Sequence, residues 1–317
     1  MKPESAVALI ESAYRTEVPA QDWLQGVAAS ASTALSNLGA MVFQYNASER
    51  WVDAGFPALH LLPQQFAVDF FDQKDAPPEA AQAMARVFLT IRFGSLREVI
   101  KYAGFPPLGV VLDRYNVDDM IGVNGLDPSG RGCMLAIVDR QRTHSTRTVG
   151  LWHRLGAHVA AGNRMRVTLE RLAKENPDPT RHAEAILSPT GKIEHAVGPA
   201  EPRPAREALR EALVRIDAAR AERDDPERSV ELWRGLVAGR WSLVEHFERD
   251  GRRYYLAHKN DPELAQDRTL TSRERQVLGY AELGSSNKLT AYALGLSTST
   301  ISTILARAKK KLGISKT

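Results

Sequence analysis

Cysteine is almost absent from this sequence: its 317 residues include one, Cys133. A single thiol excludes a disulfide framework and any cysteine-based zinc site within one chain. No apolar run approaches the ~18–20 residues of a membrane span. The opening MKPESAVALIESAYR also lacks the apolar core of a signal peptide. These absences predict a soluble, cytoplasmic protein with no membrane contact. Enzyme signatures are missing too: there is no GxxxxGK[ST], HExxH or GxSxG, and no GxGxxG after a strand-like run. The eight histidines show no metal-ligand spacing, and His153 and His158, five apart, do not share a helical face. Asp224-Asp225 before Pro226 reads as a helix stop, not as an acid–base pair. No enzyme activity, metal or cofactor is therefore expected, and repeats and low-complexity tracts are lacking as well.

What is present is ordinary globular composition, 43% hydrophobic and 25% charged, with length for two or three domains. The net charge of +4 is unevenly distributed. From Ala265 to Thr317 there are nine Lys/Arg against three Asp/Glu, a balance of +6, while the preceding 264 residues carry −2. A basic module on a neutral body is the footprint of nucleic-acid binding. Breaker-rich KENPDPT (174–180) and polar NDPELAQDRT (260–269) divide the chain into three segments, 1–175, 182–259 and 260–317.

The first segment reads as mixed α and β. Residues 4–36 carry helical spacing (Val7, Ile10, Ala13, Tyr14, then Trp23, Val27, Ala31, Leu35). Strand-like runs follow at Met41–Tyr45 and Arg50–Ala54, joined by a turn at Asn46–Glu49, and a helical stretch lies at about 78–91. Leu108–Arg114, Asp119–Gly125 and Cys133–Asp139 read as strands, the last two joined by the turn LDPSGRG. Residues 145–173 read as a long closing helix, which completes an α+β sandwich. The second segment opens with a hairpin, Glu184–Leu187 and Lys192–Ala196. Helices are expected at 205–222, with Leu209, Leu213, Ile216 and Ala219 on one face, and at about 228–238. It closes with a second hairpin, where Asp250-Gly251 as a two-residue turn pairs Phe247 with Tyr254 and Glu248 with Arg253.

The third segment reads as three short helices. Thr271 and Glu274 form a capping box for the first, and Gly284 ends it. Ser286 caps the second, about Asn287–Leu294, and Gly295 supplies the turn. Ser297 caps the third, whose Ile301, Ile304, Leu305, Ala308 and Leu312 form one apolar stripe. The opposite face carries Ser299, Thr300, Ser302, Thr303, Ala306, Arg307 and Lys310. Two short helices joined through glycine, the second with small hydroxyl residues at its start, match a helix-turn-helix.

These residues resemble the LuxR/FixJ family of helix-turn-helix domains. The resemblance is carried by Leu270, Thr271, Arg273, Glu274, Val277, Leu278, Gly284, Ser286, Asn287, Lys288, Ala291, Leu294, Ser297, Thr300, Lys311, Leu312 and Gly313. It departs at Leu289-Thr290, where the family usually has Glu-Ile, and at Ser302 and Ile304, where it often has Lys and His. The first departure implies a rotated or looser second helix, and the second removes a charged base reader. Family members usually continue past the equivalent of Gly313 into a helix that pairs two DNA-binding domains. With Ser315-Lys316-Thr317 ending the chain, pairing is expected instead through the helices at 4–36 and 145–173.

Residues 1–175 resemble a GAF domain on the runs MVFQYN, RWVDAG and DMIGVNGLDPSGRGCMLAIVD, and on the closing helix. Residues 182–259 resemble a PAS fragment on AILSPTGKIEHAV and the final hairpin. The fold class implied is an α+β GAF/PAS-like body with a C-terminal all-α helix-turn-helix domain. A ligand pocket in the body would be lined by Phe43, Tyr45, Trp51, Tyr102, Phe105, Cys133 and Met134, residues that serve equally well as plain core. Cys133 itself reads either as a thiol sensor or as a small buried hydrophobe.

The function implied is that of a DNA-binding transcriptional regulator, a homodimer with double-stranded DNA as partner and RNA polymerase as a second. The DNA-contacting set is Lys288, Ser299, Thr300, Ser302, Thr303, Arg307, Lys309, Lys310 and Lys311. The competing reading is a protein-interaction regulator, anti-activator-like, whose helix-turn-helix no longer binds specific DNA. No small-molecule ligand can be named from the residues.

Overall fold

Alternating apolar residues build a sheet only if every second side chain finds a core, and this chain does so twice. The computed structural model describes residues 3–46, 53–72, 79, 91–141, 143–222, 225–238, 241–247, 253–262 and 270–312. These fall into two compact units. One comprises Met1–Ala13, Val18–Leu126 and Gly130–Ala160, the other Tyr14–Glu17, Asp127–Ser129 and Ala161–Thr317.

In the first unit, helices α1 (Pro3–Tyr14) and α2 (Ala20–Leu35) precede strands β1 (Ala40–Asn46), β2 (Asp53–Ala54) and β3 (Ala58–His60). Helix α3 (Gln64–Phe71) follows, then β4 (Phe93–Ser95), α4 (Leu96–Ala103), α5 (Pro106–Arg114), β5 (Asp119–Leu126) and β6 (Arg131–Asp139). The sheet is antiparallel in the order β2-β1-β6-β5-β4, with β3 also on β1. Helix α6 (Thr146–Glu175) runs from this unit into the other.

Period-two alternation sorts the sheet faces. Val123 and Gly125 of β5 face α6, where a Cβ on Gly125 would lie 3.0 Å from the Gly156 carbonyl oxygen and 3.1 Å from the Ala160 nitrogen. Only glycine permits that approach. Met120 and Gly122 point the other way, toward Phe70 of α3 and Leu96 and Val99 of α4.

In the second unit, β7 (Ala185–Leu187), β8 (Ile193–Ala196), β9 (Trp241–Phe247) and β10 (Arg253–Lys259) form an antiparallel sheet ordered β8-β7-β10-β9. Helices α7 (Arg203–Ala221) and α8 (Pro226–Ala238) precede β9, and α7 buries Leu209, Ala212, Leu213, Ile216 and Ala219. A buried polar knot ties the end of β10 to α6. Arg164 is ion-paired with Asp127 and donates from Nε to Asn260 Oδ1 at 2.8 Å and from Nη2 to the Asn260 carbonyl at 2.9 Å. Asn260 Nδ2 in turn donates to the Ala161 carbonyl and to Ser242 Oγ.

Four expectations need correction. Leu108–Arg114 is helical, not a strand: Pro106 and Pro107 pre-set the first turn, and Leu108, Val111 and Leu112 are buried at helical spacing. The 4–36 stretch is two helices, because Pro19 lacks the N–H that would continue the first and instead precedes α2. In the final hairpin Arg253 faces Phe247 and Tyr254 faces His246, one residue from the expected register. Glu248 and the expected Asp250-Gly251 turn lie outside the described residues, and a one-residue slip exchanges the faces of a strand. The helix before Asp224-Asp225 does stop, at Ala221, but the next starts at Pro226 and not at about 228, with Asp225 Oδ1 accepting from the Glu227 N–H at 2.9 Å. The strands at Met41–Tyr45, Asp119–Gly125 and Cys133–Asp139, the first hairpin and the long helix lie as expected. Residues 78 and 80–90 of the expected 78–91 helix, and 50–52 of the second strand, lie outside the described residues.

Two buried histidines make this fold acid-sensitive. Burial lowers the His258 imidazole to about 4, with Nδ1 3.3 Å from the His182 carbonyl, and lowers His158 to about 3. An unfolded histidine titrates near ~6.5, so below that pH the unfolded chain binds protons that the fold refuses. Stability is full above about pH 6.5 and declines as pH falls toward 4. The loss at pH 5 is on the order of 2 kcal/mol per histidine. Urea denaturation at pH 7 and pH 5 should show this decline, and His258→Gln should flatten it; equal midpoints at both values in the parent chain would contradict it.

Candidate nucleic-acid interface

Three helices make up the C-terminal part of the second unit: α9 (Ser272–Glu282), α10 (Asn287–Leu294) and α11 (Thr298–Lys311). Each starts on a side-chain cap that satisfies an otherwise unpaired amide. Thr271 Oγ1 accepts from the Glu274 N–H, while Glu274 accepts from the Thr271 N–H at 2.8 Å, completing the capping box. Ser286 Oγ accepts from the Leu289 N–H, and Ser297 Oγ from the Thr300 N–H at 3.0 Å.

Gly295, at φ 62°, closes α10 in the left-handed region that favours glycine, and the Leu296 N–H returns to the Ala291 carbonyl. The chain then turns by 103° into α11, within the range of a helix-turn-helix. Val277, Tyr280, Ala291, Ala293, Leu294 and Ile301 form the core between the three helices, with Leu296, Ile304 and Leu305 half-buried around it. Thr290, at the first departure from the family pattern, is buried, and Leu289 is half-buried.

Three polar contacts, invisible to sequence reasoning, hold this arrangement. Lys311 Nζ lies 2.7 Å from Glu274 Oε2 and joins the end of α11 to the start of α9. That hydrogen bond, with the Thr271 amide, lowers the Glu274 carboxyl to about 2. Asn287 Nδ2 donates to Ser302 Oγ at 3.0 Å, linking α10 to α11. Tyr292 Oη donates to the Val230 carbonyl at 3.1 Å, a buried bond from α10 to α8.

The expected contact residues separate into two groups. Ser299, Thr300, Ser302, Thr303, Arg307 and Lys310 are exposed on one face of α11, and Lys288 is exposed at the start of α10. Lys309 is half-buried, and Lys311 is committed to Glu274. Among the described residues, Lys288, Arg307, Lys309 and Lys310 have no carboxylate within 4 Å.

The expected ligand pocket does not assemble as a set. Phe43 and Met134 line an apolar cavity of about 40 Å³ with Phe70, Val99 and Met120, a space on the scale of a water molecule. Tyr45 is core, its hydroxyl donating to Asn124 Oδ1 at 2.6 Å, and burial raises its pKa. Phe105 and Cys133 are also core, Tyr102 is 78% exposed, and Trp51 lies outside the described residues. Tyr45 and Phe105 fill the interior.

Comparison with known proteins agrees with this geometry. Residues 268–317, a stretch that contains α9, α10 and α11, match the family described as bacterial regulatory proteins, luxR family. The HTH-type transcriptional regulators MalT of Vibrio campbellii (strain ATCC BAA-1116) and Vibrio parahaemolyticus serotype O3:K6 (strain RIMD 2210633) are each 35% identical over 87 residues. That stretch is 27% of this chain and 10% of theirs, so the chain spans about a tenth of the curated relatives it matches. No solved structure matches the chain at a significant level. Among the described residues no single helix is long and apolar enough to cross a membrane.

The Thr271–Glu274–Lys311 junction yields a direct test. Because the Glu274 carboxyl is lowered by its partners, the stability it contributes is present above its unfolded range near ~4.5 and is lost as pH falls toward 2. Lys311→Met should raise the Glu274 titration midpoint, followed by carboxyl carbon NMR. Thr271→Ala should destabilise the protein by about 1 kcal/mol through loss of the cap. A Glu274 midpoint that stays near 2 in Lys311→Met would assign the shift to the cap alone.

Proposed function

We propose that this protein is a DNA-binding transcriptional regulator that places α11 in the major groove. The observation that carries the reading is the sharp turn between α10 and α11, with an apolar stripe inward and hydroxyl and basic side chains outward, interrupted by Ala306 alone. Lys288, Arg307, Lys309 and Lys310 then neutralise phosphates, which sets register and affinity, while Ser299, Thr300, Ser302 and Thr303 reach bases or backbone. Lys311 instead stiffens the module through Glu274.

The body is read as GAF-like over 1–175 and PAS-like over 182–259, with the DNA-binding domain at 260–317. Its proposed role is to pair two chains, since one helix-turn-helix reads few base pairs and specific operators present two half-sites ~34 Å apart. RNA polymerase is the partner through which a bound dimer would act on transcription.

Selection of DNA fragments by the full-length protein should recover a recurrent site with two half-sites. Four phosphate-binding cations per chain in a dimer predict log K falling with log[salt] at a slope of about −7. Lys309→Ala with Lys310→Ala should bring that slope to about −4 and leave relative preference among sequences intact. Retention of random fragments only, at physiological salt, would replace this reading with that of a protein-interaction regulator.

A further inference from the structure

The outward face of α11 carries more chemical information than its charge. Six side chains there, at 299, 302, 303, 306, 307 and 310, follow one helical stripe. The first four are two serines, a threonine and an alanine, and the only cations come at Arg307 and Lys310. Major-groove guanine presents two acceptors and is read by Arg or Lys, whereas adenine and cytosine present an amino donor and thymine a methyl group.

The Ser302 and Thr303 hydroxyls of this face are already used as donors inside the protein. Thr303 Oγ1 donates to the Ser299 carbonyl at 3.0 Å, and Ser302 Oγ donates to the Thr298 carbonyl at 3.1 Å. Ser297 Oγ lies 2.7 Å from both Ser299 Oγ and Thr300 Oγ1. It has one proton for two contacts, so at least one of those neighbours also donates inward. What Ser302 and Thr303 keep for a ligand is lone pairs and a methyl group, one Ser302 lone pair being taken by Asn287 Nδ2 at 3.0 Å. With its oxygen turned to the backbone, Thr303 adds its methyl to the surface, and Ala306 adds another one turn further on.

We infer that α11 from Ser299 to Ala306 reads A·T pairs, the oxygens accepting from an adenine amino group and the Thr303 and Ala306 methyls packing on thymine methyls. An A·T pair offers both features on one edge. A G·C pair offers a donor but no methyl, and its guanine acceptors meet no cation on these turns. Arg307 lies about 7.5 Å along the axis from Ser302, so guanine readout is confined to the flank of the site. The small side chains also let the helix backbone approach the groove floor closely, which a lysine in the Ser302 position would prevent.

This inference rests on the DNA-binding reading above, and its test separates the two. The full-length protein is bound to its selected duplex at fixed salt, with each thymine replaced in turn by deoxyuridine, which removes only the methyl. At least one replacement per half-site should weaken binding about fourfold, the worth of one buried methyl. Thr303→Ser should abolish the penalty at one position, while Thr303→Val should retain it. A recurrent site with a G·C core and no response to deoxyuridine would overturn the A·T inference and leave DNA binding standing. Absence of any recurrent site would overturn both.

Discussion

The direction of α11 depends on a narrow line of apolar contact. Two of its 14 residues, Ile301 and Ala308, are buried, and Ile304 and Leu305 add half-buried surface. Such a stripe contributes only a few side chains at roughly 1.5–3 kcal/mol each when fully buried. Hydrophobic burial alone therefore positions the helix loosely about its own axis. Polar contacts at its ends and along its side supply the missing constraint: the Ser297 cap, the Asn287–Ser302 bond and the Lys311–Glu274 pair.

That economy is also what makes the outward face usable. A helix buried on a wide arc has little surface left for a partner, whereas a narrow stripe frees most of its circumference for hydroxyl, methyl and basic side chains. The preceding helix differs. Thr290, Ala291, Tyr292, Ala293 and Leu294 of α10 are all buried, and Tyr292 reaches the Val230 carbonyl of α8. Within the second unit α10 is thus the anchored helix and α11 the presented one.

The body follows the same rule of few residues deciding placement. Gly125 admits α6 against β5 because no Cβ intervenes, and Arg164 directs Nε, Nη1 and Nη2 onto Asp127 and onto Asn260 just past the end of β10. The cost of burying that guanidinium is offset by paired and hydrogen-bonded acceptors. Its removal would leave Asp127, 2% exposed, without its counter-charge.

Local features of the chain were legible before any fold was known. Caps, the Gly295 turn and the apolar stripe of α11 are written within a few residues of one another, so sequence alone determined the three C-terminal helices, their order and the chemistry of their outer face. The strands of the first sheet were legible for the same reason. At Leu108–Arg114 the abundance of valine and leucine misled, because β-preference yields to the proline-started turn and to burial at helical spacing. Tertiary structure alone decided the register of the last hairpin, which depends on the length of its connection. It also decided which lysine is spent on structure: Lys311 and Lys310 are adjacent and chemically identical, yet only the fold brings Glu274, 37 positions earlier, within 2.7 Å of one of them. Periodicity and capping are short-range and survive in a linear reading, whereas an ion pair between distant positions exists only after the entropy of closing the intervening chain has been overcome.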